Sequence, residues 1–171
     1  MPRLAALSLV LLAACATPPV DAVQERLDAA TGTTVTRLAS PVELLATAPR
    51  ARDADPYVYV APFETNRMGA RRLYLWVAAP ADSVATPAIE CGALSISAAD
   101  PASSPEPMGL SRLPYRSPAG WYVARAVPID AAWLACFAAC AGLAVSLGDE
   151  RFVGDGTRQG DLQQFAERLK E

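Results

Sequence analysis

The chain has 171 residues, with 15 basic and 18 acidic side chains, a net charge of −3 and no histidine. A mildly acidic chain without a basic run lacks the means of neutralising phosphates, which argues against a nucleic-acid partner. Without histidine there can be no Ser-His-Asp triad, no Cys-His pair and no His-ligated zinc site.

Arg3 supplies a basic start, and residues 4–12 form an apolar run broken only by Ser8. Crossing about 30 Å of hydrocarbon takes about 20 residues, so this run is too short to span. A basic start, a short apolar core and small residues before a break are the pattern of a secretory signal. Leu12-Ala13-Ala14-Cys15 closes the run, and every position resembles the lipobox of bacterial lipoprotein precursors. The resemblance covers the first 15 residues. It implies cleavage before Cys15, which then carries a thioether-linked diacylglycerol and an amide-linked acyl chain such as palmitate. At about 0.8 kcal/mol per buried CH₂, several chains hold a protein stably where one is marginal. Ala16 stands where an aspartate would resemble the inner-membrane retention signal, so the resemblance implies the periplasmic face of the outer membrane. The expected organisation is a signal peptide over 1–14, the lipidated cysteine and a short tether over 15–19, and one periplasmic domain over 20–171.

In that domain Val20, Val23, Leu27 and Ala30 recur at three- and four-residue steps, predicting an amphipathic helix over 20–30 that Gly32 ends. Residues 33–38 read as a β-branched strand. Ser40-Pro41-Val42-Glu43 has the order of a capping box with proline at the first helical position, predicting a short helix over 41–46. Residues 57–60 and 72–77 are rich in aromatic and branched side chains and read as strands, with a hairpin loop over 62–71. In the second strand Arg72, Tyr74 and Trp76 share one face, which is either a half-covered sheet face or a ligand platform. Residues 94–97 make another strand.

Prolines at 101, 105, 107, 114 and 118 make residues 99–118 a structureless stretch, unusual inside a compact domain. It reads as a disordered surface excursion, or else as a recognition loop in which Tyr115 and Arg116 matter. A strand resumes over 121–127. Asp130 then caps a buried helix over 131–141, strands follow over 143–147 and 151–153, and a helix with Leu162, Phe165, Ala166 and Leu169 on one face closes the chain. The predicted fold is α+β, a single domain with a mainly antiparallel sheet and flanking helices.

With Cys15 lipidated, Cys91, Cys136 and Cys140 remain for an oxidising compartment, an odd count. Cys136 and Cys140 lie one helical turn apart, where their Cβ atoms are too distant to bridge. A bridge from Cys91 to Cys136 or to Cys140 is the first reading, three buried thiols the second, a metal or redox site the last. Carboxylates are what remains for acid–base work: Glu64, Glu90, Asp130, Asp149, Asp155 and Asp161 sit beside turns or element ends, where helix caps and solvated surface explain them equally. Gly154-Asp155-Gly156-Thr157-Arg158-Gln159-Gly160-Asp161 lacks the P-loop lysine and the order of a calcium loop, so it reads as a turn ending in a helix cap.

No metal site and no cofactor is expected. The sequence predicts a non-enzymatic lipoprotein, an envelope binding, assembly or accessory module. Its partners would be the membrane, through the acyl chains on Cys15, and an envelope protein or cell-wall component. A carboxylate-dependent hydrolase of cell-wall glycans is the alternative.

Overall fold

A computed structural model describes residues 21–49, 56–80, 85–98, 108–116, 122–139, 142–154, 156 and 158–170. Cys15, Cys140 and Asp155 lie outside them, as do the signal and tether. Among the described residues the elements are β1 (Val23–Asp28), β2 (Thr33–Leu38), β3 (Val42–Ala46), β4 (Tyr57–Arg67), β5 (Ala70–Pro80), β6 (Ala88–Cys91), β7 (Leu94–Ser97), β8 (Tyr122–Ile129), α1 (Ala131–Ala138), β9 (Leu143–Leu147), β10 (Glu150–Gly154) and α2 (Gln159–Arg168). Every described strand pair is antiparallel. The sheet curls as a half-barrel.

The long hairpin β4–β5 is its spine. Met68 and Gly69 both adopt positive φ, 52° and 87°, the backbone a two-residue hairpin turn needs, and Asn66 Oδ1 accepts the Gly69 N–H at 3.1 Å. The strands therefore run up to a tight turn, and the longer loop expected over 62–71 does not form. One edge of β4 is shared. Its second half pairs with β2 and its first half with β3, while β5 occupies the opposite edge and continues to β8.

Alternation along β4 and β5 creates two cores. Val58, Val60, Leu75 and Val77 face inward with Val42, Leu44, Ile89, Val145 and Phe152, against Trp133 and Phe137 of α1 and Leu162, Phe165 and Ala166 of α2. Ala61, Phe63, Tyr74 and Trp76 face outward. They are covered by residues 108–116, from which Met108, Leu110 and Tyr115 are buried. This described part of the proline-rich stretch is thus a strap across the sheet, not a surface excursion. At about 25 cal/mol per Å² of apolar surface removed from water, its three large side chains supply the driving force that its irregular backbone does not.

Two predicted helices are strands. The first, over 20–30, is β1: Val23 to Asp28 pair with Leu38 to Thr33, so non-local ladder bonds outweigh a periodicity that six residues satisfy either way. The second, over 41–46, is β3, where Val42 and Leu44 bury against the inner core while Glu43 and Leu45 are exposed, a period of two. Helix α1 does begin at Asp130, whose Oδ1 accepts the Ala132 N–H at 3.0 Å. It buries Trp133 and Phe137 but leaves Ala131, Ala132 and Ala135 exposed, so it is not buried all round. Helix α2 begins at Arg158 without a side-chain cap; Arg158 instead meets Asp161 at 3.6 Å. Cys91 on β6 and Cys136 on α1 form a disulfide, with Cα atoms 6.1 Å apart, joining the inner face of the sheet to the helix that covers it.

Candidate functional site: a polar cleft at the open end of the inner face

The helices cover the middle of the inner face and leave one end of it open. The ladder places Glu25 opposite Thr36, Thr36 opposite Glu64, Glu64 opposite Leu73 and Leu73 opposite Ile129, one straight row across five strands. The next row out is Leu27, Thr34, Asn66 and Arg71. Directly opposed residues in an antiparallel ladder share a face. These two rows therefore line a common floor, with Arg168 and Leu169 at the end of α2 as the wall. Two adjoining hollows of about 630 and 310 Å³ lie over it and share Glu64, Arg71 and Leu169.

Glu64 is the centre. It is only 5% exposed, and its Oε2 accepts from Arg71 Nε at 2.9 Å and sits 2.9 Å from Arg71 Nη2. The same Nη2 donates to the carbonyl of Leu169 at 3.3 Å. A guanidinium thus joins a buried carboxylate to the negative end of a helix dipole, each favourable for a cation. Around the pair stand two threonine hydroxyls, the Asn66 amide, the Glu25 carboxylate and Arg168. Such a lining can bind a ligand rich in hydroxyl and amide groups. Glu25 and Glu64 lie two strands apart, about 10 Å between backbones at 4.7–4.9 Å per strand.

Of the carboxylates singled out in the sequence, Glu64 alone among the described residues falls in this cleft. Glu90 pairs with Arg151 at 2.7 Å, Asp130 caps α1 and Asp149 is exposed in the turn between β9 and β10. Tyr74 and Trp76 are 4% and 0% exposed, so they form the floor of the outer core and not an open platform. Tyr115 is buried above them, and Arg116 beside it is exposed. Glu25, Thr34, Thr36, Asn66 and Arg71 were missed. The helix expected over 20–30 hid Glu25, and only the pairing register brings the five together.

Among the described residues no group of three or more Cys, Asp or Glu could hold a metal ion. No helix among them is long and apolar enough to cross a membrane. No family model matches the chain, and neither a curated protein nor a solved structure does.

Proposed function

We propose that the chain is a lipoprotein held by acyl chains on Cys15 at the periplasmic face of the outer membrane, where it acts as an envelope binding, assembly or accessory module. Its ligand site is the polar cleft. The observation that supports binding over catalysis is the commitment of Glu64. The buried carboxylate spends its Oε2 on the guanidinium that holds the end of α2, a role in positioning and recognition. Asp21 and Ala22, where the described chain begins, line a hollow with Glu25, Thr36 and Arg168. Asp21 is six residue steps along the chain from Cys15, a reach of about 20 Å. An anchored protein would therefore present this cleft close to the bilayer, to a polar partner near the membrane surface.

The experiment is site-specific photocrosslinking in living cells, with the crosslinker placed at Thr34 or Asn66 and, as a comparison, at Val123 on the far edge of the sheet. Cleft positions should give discrete adducts that Val123 does not. Equal labelling at all three would discard the cleft as the site. The alternative, a carboxylate-dependent hydrolase of cell-wall glycans, draws on one observation: Glu25 and Glu64 face one cleft from strands two apart. Glycosidases set their carboxyl groups about 5–9.5 Å apart, a separation that side chains from these backbones could span.

A further inference from the structure

A separate hollow lies on the other face of the sheet, between β1–β2 and the strap. It has a volume of about 350 Å³, within the size range of small-molecule sites. Arg26, Arg37 and Arg112 all line it. Arg26 stands opposite Val35, and Arg37 opposite Gln24, so the two arginines are diagonal neighbours on one face of adjacent strands. Arg112 comes to them from the strap. Among the described residues none of the three pairs with a carboxylate.

The one acid lining this hollow is Asp28, and it is engaged elsewhere. Its Oδ2 accepts from the Ser111 N–H at 2.7 Å and from Ser111 Oγ at 2.8 Å, and its Oδ1 from the Ala30 N–H at 3.1 Å. The described lining is therefore net positive on a chain whose net charge is −3. Like charges gathered around one hollow, two of them diagonal on adjacent strands, repel one another, and an anion shared among them would relieve that. The other walls are Val35, Leu110, Leu113 and Pro114, apolar surface next to the guanidinium groups. Arg37 also donates to the Pro114 carbonyl and lies over the Tyr115 ring, which fixes its head group in the hollow.

We infer that this hollow is a binding site for an amphiphilic anion, a phosphate or carboxylate head with a short apolar portion. The arginines take the head by charge-assisted hydrogen bonds, and Val35, the leucines and Pro114 take the apolar part. The site is independent of the cleft on the inner face and does not rest on the function proposed for it.

The test is calorimetric titration of the purified full chain with three probes: dihexanoyl phosphatidate, dihexanoyl phosphatidylcholine and inorganic phosphate. Phosphatidate should bind saturably at one site, and phosphatidylcholine, with the same tails, about tenfold or more weakly. Arg26 and Arg112 are exposed, so the double variant Arg26→Gln/Arg112→Gln should fold. It should lose about tenfold in phosphatidate affinity with no fall in melting temperature, since it also removes two of the crowded charges. Inorganic phosphate binding as tightly as phosphatidate would overturn the amphiphile and leave a free anion as the ligand. No phosphatidate binding, equal affinity for the two lipids, or parental affinity in the double variant would overturn the site itself.

Discussion

The Tyr115 ring lies 5.1 Å from the Trp76 indole at an interplanar angle of 44°, and its hydroxyl donates to the Leu38 carbonyl at 3.1 Å. One side chain thus fastens an irregular segment to the outer face of the sheet. Arg37 adds a guanidinium 5.1 Å above the same ring, and Thr33 Oγ1 donates to the Gly109 carbonyl at 2.6 Å. The strap is held at both ends and in its middle, which is why Trp76 is shut from water.

Two substitutions separate the contributions of Tyr115. Tyr115→Phe keeps the ring and removes one hydrogen bond, and should cost about 1 kcal/mol. Tyr115→Ala also removes the ring from its buried, tilted contact with Trp76, and should cost about 3–5 kcal/mol. Urea unfolding gives both values, and tryptophan emission should shift to the red in the alanine variant alone. Equal stability of the two variants would mean that the strap is not seated through this ring.

Burial raises the Tyr115 hydroxyl above the ordinary tyrosine pKa of 10.0, against the opposing effects of the Arg37 charge and the hydrogen bond to Leu38. The fold therefore favours the neutral phenol. Its contribution to stability is complete below pH 10.0 and is lost as pH rises above that value. Phenolate absorbance followed together with tryptophan emission should show a last tyrosine ionising only as the strap releases. In Tyr115→Phe that coupled step should be absent. Complete ionisation of all five tyrosines with emission unchanged would contradict the assignment.

Local signals in the sequence reported local structure. The branched and aromatic runs of β4 and β5, the Asp130 cap of α1 and the apolar face of α2 were legible because each is decided within one turn or one strand. The misread elements were decided at a distance. Six residues of β1 offer Val23 and Leu27 to a helical period and to an alternating one alike, and only pairing with β2 chooses between them. Ser40-Pro41-Val42-Glu43 carries a helix-start pattern, yet Val42 and Leu44 bury more apolar surface as alternate residues of β3 against Val58 and Val60. Prolines mark the strap as irregular without revealing that Tyr115 lies on Trp76 and that Leu110 is buried in the same cluster. The cleft was the least legible feature, since Glu25, Thr36, Glu64 and Arg71 meet only through the register of four strands.

The Cys91–Cys136 disulfide closes a sequence separation of 45 residues. Replacing both cysteines by serine should destabilise the fold by about 2–5 kcal/mol, read as a lower melting temperature under oxidising conditions. Reductant should lower the parent towards the variant and leave the variant itself unmoved. Non-reducing mass spectrometry should find the Cys91–Cys136 peptide pair. A parent that melts identically with and without reductant would show that the bridge contributes nothing.

Anchoring is tested at Cys15. Cys15→Ala should abolish palmitate labelling and move the protein out of the membrane fraction, because the acyl chains are the proposed tether. Labelling that survives the substitution would remove the lipobox reading and, with it, the membrane-proximal setting of the cleft.

Glu64 decides between binding and hydrolysis. Glu64→Gln keeps an oxygen for Arg71 and the Arg71 contact with Leu169, so its stability cost should be about 1 kcal/mol. Arg71→Ala strands a carboxylate that is 5% exposed, and should cost more, about 1–3 kcal/mol, with the upper end limited because the Arg71 side chain is 45% exposed and screened by water. A binding module should therefore retain envelope function in Glu64→Gln and in Glu25→Gln, or lose affinity by degrees as neighbouring polar contacts are removed. An enzyme behaves otherwise. If the purified parent released fragments from peptidoglycan, and each amide variant stayed folded yet released none, Glu25 and Glu64 would be an acid–base pair and the binding reading would fall. The expected result is that the parent releases no fragments and that crosslinking from Thr34 and Asn66 persists in both amide variants.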